Sequence, residues 1–234
     1  MKQQPKTAYV FTHEGGDLPI KIRKVSTSRS MVIRYQPLTH SLALTLPRYV
    51  SIKQGLSFIE EKRNWIMAQL PHDATQNALV EGASIPVLGK NYVITHMGGR
   101  GVVRIEEDKL IVPGDAAFIT RRVRDWLKKR AREEISRLAY EKAQQLGKKA
   151  TKISLRDTTS HWGSCTQAGG LSFSWRLVFA PYEVLEYVVC HEVAHLSEMN
   201  HSKAFWAHVA ELCPSYEAQK RWLKRYGHRL YQYR

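Results

Sequence analysis

The feature that most constrains how this chain can fold is a five-residue stretch, His191-Glu192-Val193-Ala194-His195. In an α-helix, residues four apart lie on the same face, so the two imidazoles can bind one metal ion if this stretch is helical. Glu192 then lies beside the first histidine and can act as a general base at the open side of the metal. The stretch therefore predicts a helix and a catalytic zinc site with three protein ligands and one open position. The alternative is a helix with two solvated histidines.

A third ligand must come from outside this helical face. His201 follows His195 by six residues, a spacing that would turn its side chain away from the first two histidines if the helix continued. We therefore expect the helix to end soon after His195 and the chain to turn back, with Asn200 in the left-handed backbone conformation that asparagine tolerates. Glu198 is the alternative third ligand. It also stands where the longer motif HExxHxxGxxH has glycine, so the chain does not fit the metzincin pattern.

The chain is strongly basic. Its 234 residues include 36 Lys or Arg and 21 Asp or Glu, which gives a formal charge of +15. Much of the excess lies in residues 118–150, where the apolar spacing predicts a long helix over 118–147. A basic helix face favours nonspecific nucleic-acid binding. The residues expected to contact phosphates are Arg121, Arg122, Arg124 and Lys128. The alternative is a solvated helix face without a partner.

Three basic side chains on or beside the strands before the HExxH helix are candidates for binding substrate. Arg156, His161 and Arg176 could bind a carboxylate or phosphate, or polarise a carbonyl group. The alternative is that the two arginines are surface charges and His161 is a loop residue. Cys165 and Cys190 are expected to be small buried hydrophobic residues rather than metal ligands.

The cysteines and apolar segments predict a cytoplasmic protein. Three cysteines, an odd and sparse set, do not make a disulfide framework and favour a reducing compartment. No apolar stretch follows the first lysines as a secretory signal would require, and none approaches the ~18 residues of a membrane span. We therefore expect no membrane partner, and the sequence leaves the oligomeric state open.

The order of the predicted elements indicates an α+β fold in two parts. Residues 1–115 form a β-rich part of short alternating or β-branched runs, with one helix that Ser51 caps and that continues to Leu70. Residues 116–234 form the catalytic core, which comprises the basic helix, further strands and the HExxH helix. Within it, Leu171–Leu177 is the predicted edge strand beside the metal-binding helix.

Several motifs from His161 to Leu223 closely resemble those of the YgjP-like family of metal-dependent hydrolases. In chain order the motifs are WGSC, LSFSWRLVFAP, EYVVCHEVAHL, MNHSKAFW and RWLK. That family is zincin-like and related to the SprT-like metalloproteases. The resemblance is strongest over residues 150–226, and a weaker match that includes the turn LGKNY extends back to about residue 20.

The resemblance implies a zincin-like core in the C-terminal half, with one zinc ion per chain. It implies that His191, His195 and His201 are the zinc ligands and that Glu192 is the catalytic base. His201 lies in the segment NHSxxFW, which is similar to the HGxxFW segment that supplies the third ligand in SprT-like proteins. One departure is His161, which stands where the family usually has arginine before WGSC.

Three functions are consistent with these expectations. The first is a zinc metallopeptidase, since an edge strand can bind an extended polypeptide through main-chain hydrogen bonds. The second is a metal-dependent pyrophosphatase acting on UTP or a related nucleotide, an activity also attributed to members of the family. The third is a nucleic-acid-associated protein with a structural metal, against which an open coordination position beside Glu192 argues. We favour the first, because no acidic cluster beyond Glu192 and Glu198 is present to hold the Mg²⁺ that pyrophosphatases usually need.

Overall fold

The computed structural model describes residues 9–36, 39–70, 78–158 and 161–233. These residues form a mixed α and β structure with three sheets and six α-helices. They fall into two compact units, divided between residues 72 and 73. Among the described residues, no helix combines the length and apolar character needed to cross a lipid bilayer.

The first unit contains a four-stranded sheet and two helices. The strand order is β1-β2-β4-β3, in which β2 and β4 are parallel and the other neighbours are antiparallel. Phe11, Leu18, Leu44 and Ile59 are among the buried side chains of its core. The elements are β1 (Tyr9–His13), β2 (Gly16–Val25), β3 (Val32–Gln36), β4 (Ser41–Pro47), α1 (Ile52–Glu61) and α2 (Arg63–Gln69).

Ser51 begins helix α1 as predicted, but the single predicted helix is wrong. The Ser51 hydroxyl accepts a hydrogen bond from the Gln54 backbone N–H, and the Gln54 side chain accepts one from the Ser51 backbone N–H. The helix ends at Lys62, whose ψ of 12° departs from the helical value, and α2 follows at once. The apolar spacing of the two helices is continuous, so the sequence pattern does not reveal this break.

The second unit contains the other two sheets and four helices. The first of these sheets has the order β5-β6-β8-β7, and the second has the order β10-β11-β9. The strands are β5 (Ser84–Val87), β6 (Lys90–Met97), β7 (Arg104–Glu106), β8 (Lys109–Pro113), β9 (Lys152–Arg156), β10 (Gly163–Cys165) and β11 (Gly170–Ser174). The helices are α3 (Ile119–Gln145), α4 (Tyr182–Ala194), α5 (Lys203–Leu212) and α6 (Tyr216–Tyr226).

The long basic helix α3 has a buried apolar stripe that links a sheet to the HExxH helix. Val123 and Leu127 are fully buried, in one cluster with Leu110 of β8 and Val188 of α4. The sheet β5–β8 thus shares its core with the residues that follow it, and the compact units divide earlier than the boundary predicted near residue 115. Gly147 ends the helix with a φ of +63°, and the next N–H bonds back to the Ala143 carbonyl, as expected for a glycine cap.

The prediction of Leu171–Leu177 as a sheet edge is wrong. Strand β11 lies between β9 and β10, parallel to β9 and antiparallel to β10. The strand ends at Ser174, and Trp175–Phe179 forms a turn of 3₁₀ helix whose five side chains are all buried. An apolar run of this length is compatible with an edge or a central strand, and only the tertiary pairing distinguishes them.

The cap of α1 allows a test of the first unit. Replacement Ser51→Ala removes the side-chain acceptor at the helix start and is expected to lower the free energy of unfolding by about 1 kcal/mol. Ser57→Ala is the matched control, because Ser57 is exposed in the middle of the same helix and alanine is the better helix former there. Urea unfolding should show a lower midpoint for the first variant only; an equal effect of both would contradict the role of the cap.

Candidate metal centre

Helix α4 is the structural base of the candidate site. Nine of its thirteen residues are buried, so the helix is enclosed rather than lying on the surface with one apolar face. It packs against α3, α5, α6, β10 and the 3₁₀ turn at Trp175–Phe179. His191 and Glu192 lie in its last turn, and His195 is its C-cap. The rigid surroundings of α4 therefore position the HExxH residues.

His191, His195 and His201 come together at the end of α4. One ring nitrogen from each lies within 4.8 Å of the corresponding nitrogens of the other two. The helix stops at His195 as predicted, and Ser197 and Glu198 both donate backbone hydrogen bonds to the Ala194 carbonyl. The chain thus turns back within six residues and brings His201 to the face that the first two histidines share.

The turn is not made in the predicted way. Asn200 does not adopt the left-handed conformation expected of it; among the described non-glycine residues, only His40, Leu88 and Glu107 have a positive φ. The Asn200 side-chain oxygen instead accepts a hydrogen bond of 3.0 Å from the backbone N–H of Ser202. Ser202 then caps α5 by accepting a hydrogen bond from the Phe205 backbone N–H. The hydrogen bond between the Asn200 side chain and the Ser202 N–H therefore stabilises the turn, and Asn200 does not need a left-handed backbone conformation.

The orientation of the three imidazoles and the protonation state of His191 fit a metal cation. The Nε2 atoms of His191 and His201 face each other at 3.1 Å. Nδ1 of His195 lies 2.9 Å from the Glu198 carbonyl oxygen, so Nδ1 donates its proton there and Nε2 keeps its lone pair free. Burial and the nearby His195 and His201 lower the pKa of His191 to about 4. His191 is therefore neutral near pH 7, the form of imidazole that binds metals.

Glu198, the alternative third ligand, takes another role. Its carboxylate does not belong to the group of ligand atoms that converge, which among the described residues consists of the three histidines. Its main-chain carbonyl instead holds the ring of His195. A hydrogen bond of this kind fixes the ring orientation and tautomer of a metal-binding histidine. Because it uses a main-chain carbonyl, no pattern of side chains in the sequence could have predicted it.

Phe205 forms a wall against which the three histidines pack, and the sequence analysis did not assign it to the site. Its ring is fully buried, and its centroid lies 4.5 to 4.9 Å from the centroids of all three imidazoles. Trp206 packs on His201 at 5.9 Å, and Lys220 lies 3.8 Å from the centroid of the Trp206 ring. The segment NHSxxFW contains both aromatic residues, so the signal was present in the sequence but only its histidine was interpreted.

Glu192 is buried against the backbone of Gly163. Its side chain is 6% exposed, and burial raises its pKa to about 8. A Cβ atom at Gly163 would lie 2.6 Å from Oε1 of Glu192 and even closer to its Cγ, so any other residue at this position would displace the Glu192 side chain. The glycine of WGSC is therefore a site residue that sequence analysis missed. The motif itself was the signal that could have identified it.

A cavity of about 230 Å³ opens beside Glu192 and His191. His161, one of the predicted substrate-binding residues, lines it together with Trp162 and Gly163. The other described residues that line it are Tyr187, Val188 and Leu223, so its walls carry no lysine or arginine. Of the three basic residues predicted to bind substrate, His161 is thus the one that the fold brings to the Glu192 cavity.

The fold does not bring Arg156 and Arg176 to this cavity. Arg176 is 5% exposed, and its guanidinium donates to the Asp157 carboxylate at 2.7 Å and to the Tyr233 carbonyl at 2.9 Å. It therefore ties the C-terminal residues to the core instead of facing substrate. Arg156 is exposed at the end of β9 and lines a different cavity. Both lie near the HExxH helix along the chain, but the end of β9 and the 3₁₀ turn direct Arg156 and Arg176 elsewhere.

The predicted phosphate contacts on α3 do not all face solvent in the same way. Arg122 is half-buried and donates a hydrogen bond of 2.7 Å to the Gly101 carbonyl, which makes it part of the fold. Arg121 lies over the Phe118 ring at the start of the helix. Lys128 is exposed and lies 5.7 Å from the centroid of the Trp175 ring. Nucleic-acid binding by these residues stays a prediction.

None of the three cysteines joins the histidine group. Cys190 is buried as expected and Cys213 is buried as well, but Cys165 is only half-buried, contrary to the prediction; all three thiols are free. Burial and the nearby charge of Glu192 raise the pKa of Cys165 to about 11, so its thiol stays protonated near pH 7. A protonated thiol is a poor metal ligand, which leaves nitrogen as the donor type of this site.

Comparisons with known proteins identify the family. The model of the family described as YgjP-like, metallopeptidase domain, matches residues 29–226. A search of curated protein sequences finds no match. Among solved structures, the metallopeptidase zymogen abylysin of Pyrococcus abyssi is similar at 22% identity and a TM-score of 0.35, over 39% of this chain and 90% of that chain. Because the family match spans most of the sequence, the chain belongs to the YgjP-like metallopeptidase family.

Proposed function

We propose that this protein is a zinc-dependent metallopeptidase that cleaves extended polypeptide. The observation that carries the proposal is the convergence of three imidazole nitrogens within 4.8 Å, with the Glu192 carboxylate buried beside the first of them. Three nitrogen donors and one remaining open position are the usual protein contribution to a catalytic zinc site. When bound by these histidines, zinc supplies a Lewis acid that polarises a carbonyl group and makes water a stronger acid.

The protein holds the three imidazoles ready for this role. The Glu198 carbonyl fixes the tautomer of His195, so that Nε2 keeps the lone pair that can bind a metal. The Phe205 ring contacts all three histidines and restricts the rotation of their rings. A site whose donors are already oriented loses little conformational freedom on binding, which favours tight binding of the metal.

Glu192 is the proposed general base. Its carboxylate accepts a proton from the attacking water and later donates it to the departing amine nitrogen. Its pKa of about 8, raised by burial, makes the carboxylate a stronger base than an exposed glutamate. A base whose pKa lies near the working pH can both take and return a proton, which is what hydrolysis of an amide requires.

Strand β10 offers a place for an extended substrate. It lies at the edge of its sheet. Trp162, the residue before the strand, faces the partner strand, because its carbonyl accepts a hydrogen bond from the Ser174 N–H. Residues of an antiparallel pair alternate between facing the partner strand and facing away, so the main-chain groups of Gly163 and Cys165 point to the free edge. A peptide that adds to this edge would pass beside Glu192, against which Gly163 packs. Strand β10 thus replaces Leu171–Leu177 as the proposed binding edge.

The alternative functions receive less support from the geometry. A triphosphate carries several negative charges, and the described walls of the Glu192 cavity contain no lysine or arginine to balance them. A purely structural metal would not need a buried carboxylate beside its ligands. Both observations favour hydrolysis of an uncharged amide bond in a peptide.

Removal of single histidines tests the metal site. The purified protein is expected to bind about one Zn²⁺ per chain, and His191→Ala, His195→Ala and His201→Ala should each lose most of the metal. His208→Ala is the control, because His208 lies on α5 and pairs with Glu211 outside the site. Elemental analysis after dialysis measures the result. If His201→Ala retains zinc as tightly as the parent protein, the third ligand is wrong.

Replacement of Glu192 tests the reaction. Glu192→Gln keeps the shape of the side chain but cannot take a proton, so hydrolysis should fall by about 10²- to 10⁴-fold while zinc content is unchanged. Glu198→Gln is the control, since Glu198 acts through its main-chain carbonyl. The assay compares an unfolded polypeptide with UTP as substrates. Turnover of UTP that is lost in Glu192→Gln, without cleavage of polypeptide by the parent protein, would overturn the peptidase assignment.

Replacement of Gly163 tests the contact that positions the base. In Gly163→Ala the new methyl group would overlap Glu192, so the carboxylate must shift and kcat should fall by at least about tenfold with zinc still bound. Gly98→Ala is the control, because a Cβ at Gly98 meets no atom within 4 Å. Full activity of Gly163→Ala would show that the close packing of Glu192 is not needed for catalysis.

A further inference from the structure

A second cavity, of about 330 Å³, lies between helix α3 and the end of strand β9. None of the residues that line it belongs to the Glu192 cavity. Four of them are cationic and come from two elements that are separate in the sequence. The charged and aromatic residues that line it are Lys128, Lys129, Arg132, Arg156, Asp157 and Trp175.

The positive charge of this cavity is largely uncompensated. Among the described residues, Lys128, Arg132 and Arg156 form no ion pair. Lys129 approaches Glu133 at 3.9 Å, but both side chains are mostly exposed, and such a pair contributes little. The carboxylate in the cavity wall, Asp157, is already bound by the guanidinium of Arg176. An anion that entered the cavity would therefore meet at least three free cations.

A buried hydrogen-bond donor in the wall also lacks a partner. Trp175 is 2% exposed, and its indole Nε1 atom is buried without a hydrogen bond to any described residue. An indole N–H can only donate, and a buried donor without an acceptor is costly enough that nearly all are satisfied in native proteins. Because Trp175 lines the cavity, an oxygen atom of a bound anion is the acceptor that we assign to this donor. The donor and the cations thus point to the same kind of ligand.

The cavity continues into a basic stripe along α3, formed by Arg121, Arg124, Lys128 and Arg132. Their spacing of three, four and four residues places them on one face of the helix. At 1.5 Å per residue the stripe is about 16 Å long. Phosphates of one DNA strand follow one another every 3.4 Å along the duplex axis, so the stripe spans roughly five of them. A single small anion would leave most of this length unused.

We infer that this cavity binds one backbone phosphate of a nucleic acid and that the stripe contacts the neighbouring phosphates. The free guanidinium and ammonium groups would surround the phosphate oxygens, and Trp175 would donate to one of them. An acidic peptide also carries negative charge, but its carboxylates lie on flexible side chains and lack the regular spacing that a stripe with one cation per helical turn requires. The inference is independent of the proposed peptidase site, because the two cavities share no residue.

Salt dependence of binding tests the site directly. The probes are a fluorescein-labelled 20-nucleotide single strand, its duplex, and polyglutamate of similar charge. The double variant Lys128→Gln and Arg132→Gln removes two contacts, so the slope of log K against log salt on duplex DNA should decrease by about 1.8. Trp175→Phe keeps an aromatic ring but removes the N–H donor, and its affinity should fall several-fold without a change of that slope.

A charge-matched control separates a site from general attraction. Arg23→Gln and Lys24→Gln also remove two exposed positive charges, but from strand β2 in the first unit, and should leave the slope unchanged. Thermal unfolding and zinc content of each variant confirm that the fold is retained. The inference is overturned by equal losses in the two double variants, by polyglutamate binding as tightly as DNA, or by the absence of DNA binding at low salt.

Discussion

The burial of helix α4 on all sides is the constraint on which the rest of the site depends. A helix that carries two histidines and a glutamate in its last turn would normally leave that turn in water. Here nine of thirteen residues are buried among three other helices and strand β10. Burial removes water from Glu192 and raises its pKa to about 8, and it lowers the pKa of His191 to about 4. The same packing therefore keeps His191 neutral and makes the glutamate a stronger base.

Two contacts convert this burial into defined geometry. Gly163 allows the backbone of β10 to approach Glu192 more closely than any side chain would permit. Phe205, in the first turn of α5, contacts all three imidazoles. Because α5 begins immediately after the turn that carries His201, the Ser202 cap sets the position of both the third histidine and the aromatic wall. The site is thus assembled from α4, α5 and β10, with the short turn between the helices as the critical connection.

The two cavities differ in the charge of the residues that line them. The Glu192 cavity is lined by aromatic and apolar residues with one predicted substrate residue, His161. The cationic residues lie instead on α3 and at the end of β9, around Trp175. The described walls of the Glu192 cavity therefore carry no lysine or arginine, and Lys148 and Lys149 line a separate cavity beside His195. This separation favours an uncharged peptide bond at the first site and a polyanion at the second.

The sequence by itself determined the features that depend on local spacing. The helix over HExxH, the end of that helix near His195, the Ser202 and Ser51 caps and the Gly147 stop all follow from interactions between residues a few positions apart. The approach of His201 was also predictable, because a six-residue loop limits where the chain can go. The tertiary structure alone decided the rest: β11 became a central strand, the buried Arg176 formed an ion pair with the exposed Asp157, and the sheet β5–β8 joined the core of α3. These outcomes depend on which distant elements pack together, and neither hydrophobic spacing nor residue type encodes a partner that lies many residues away.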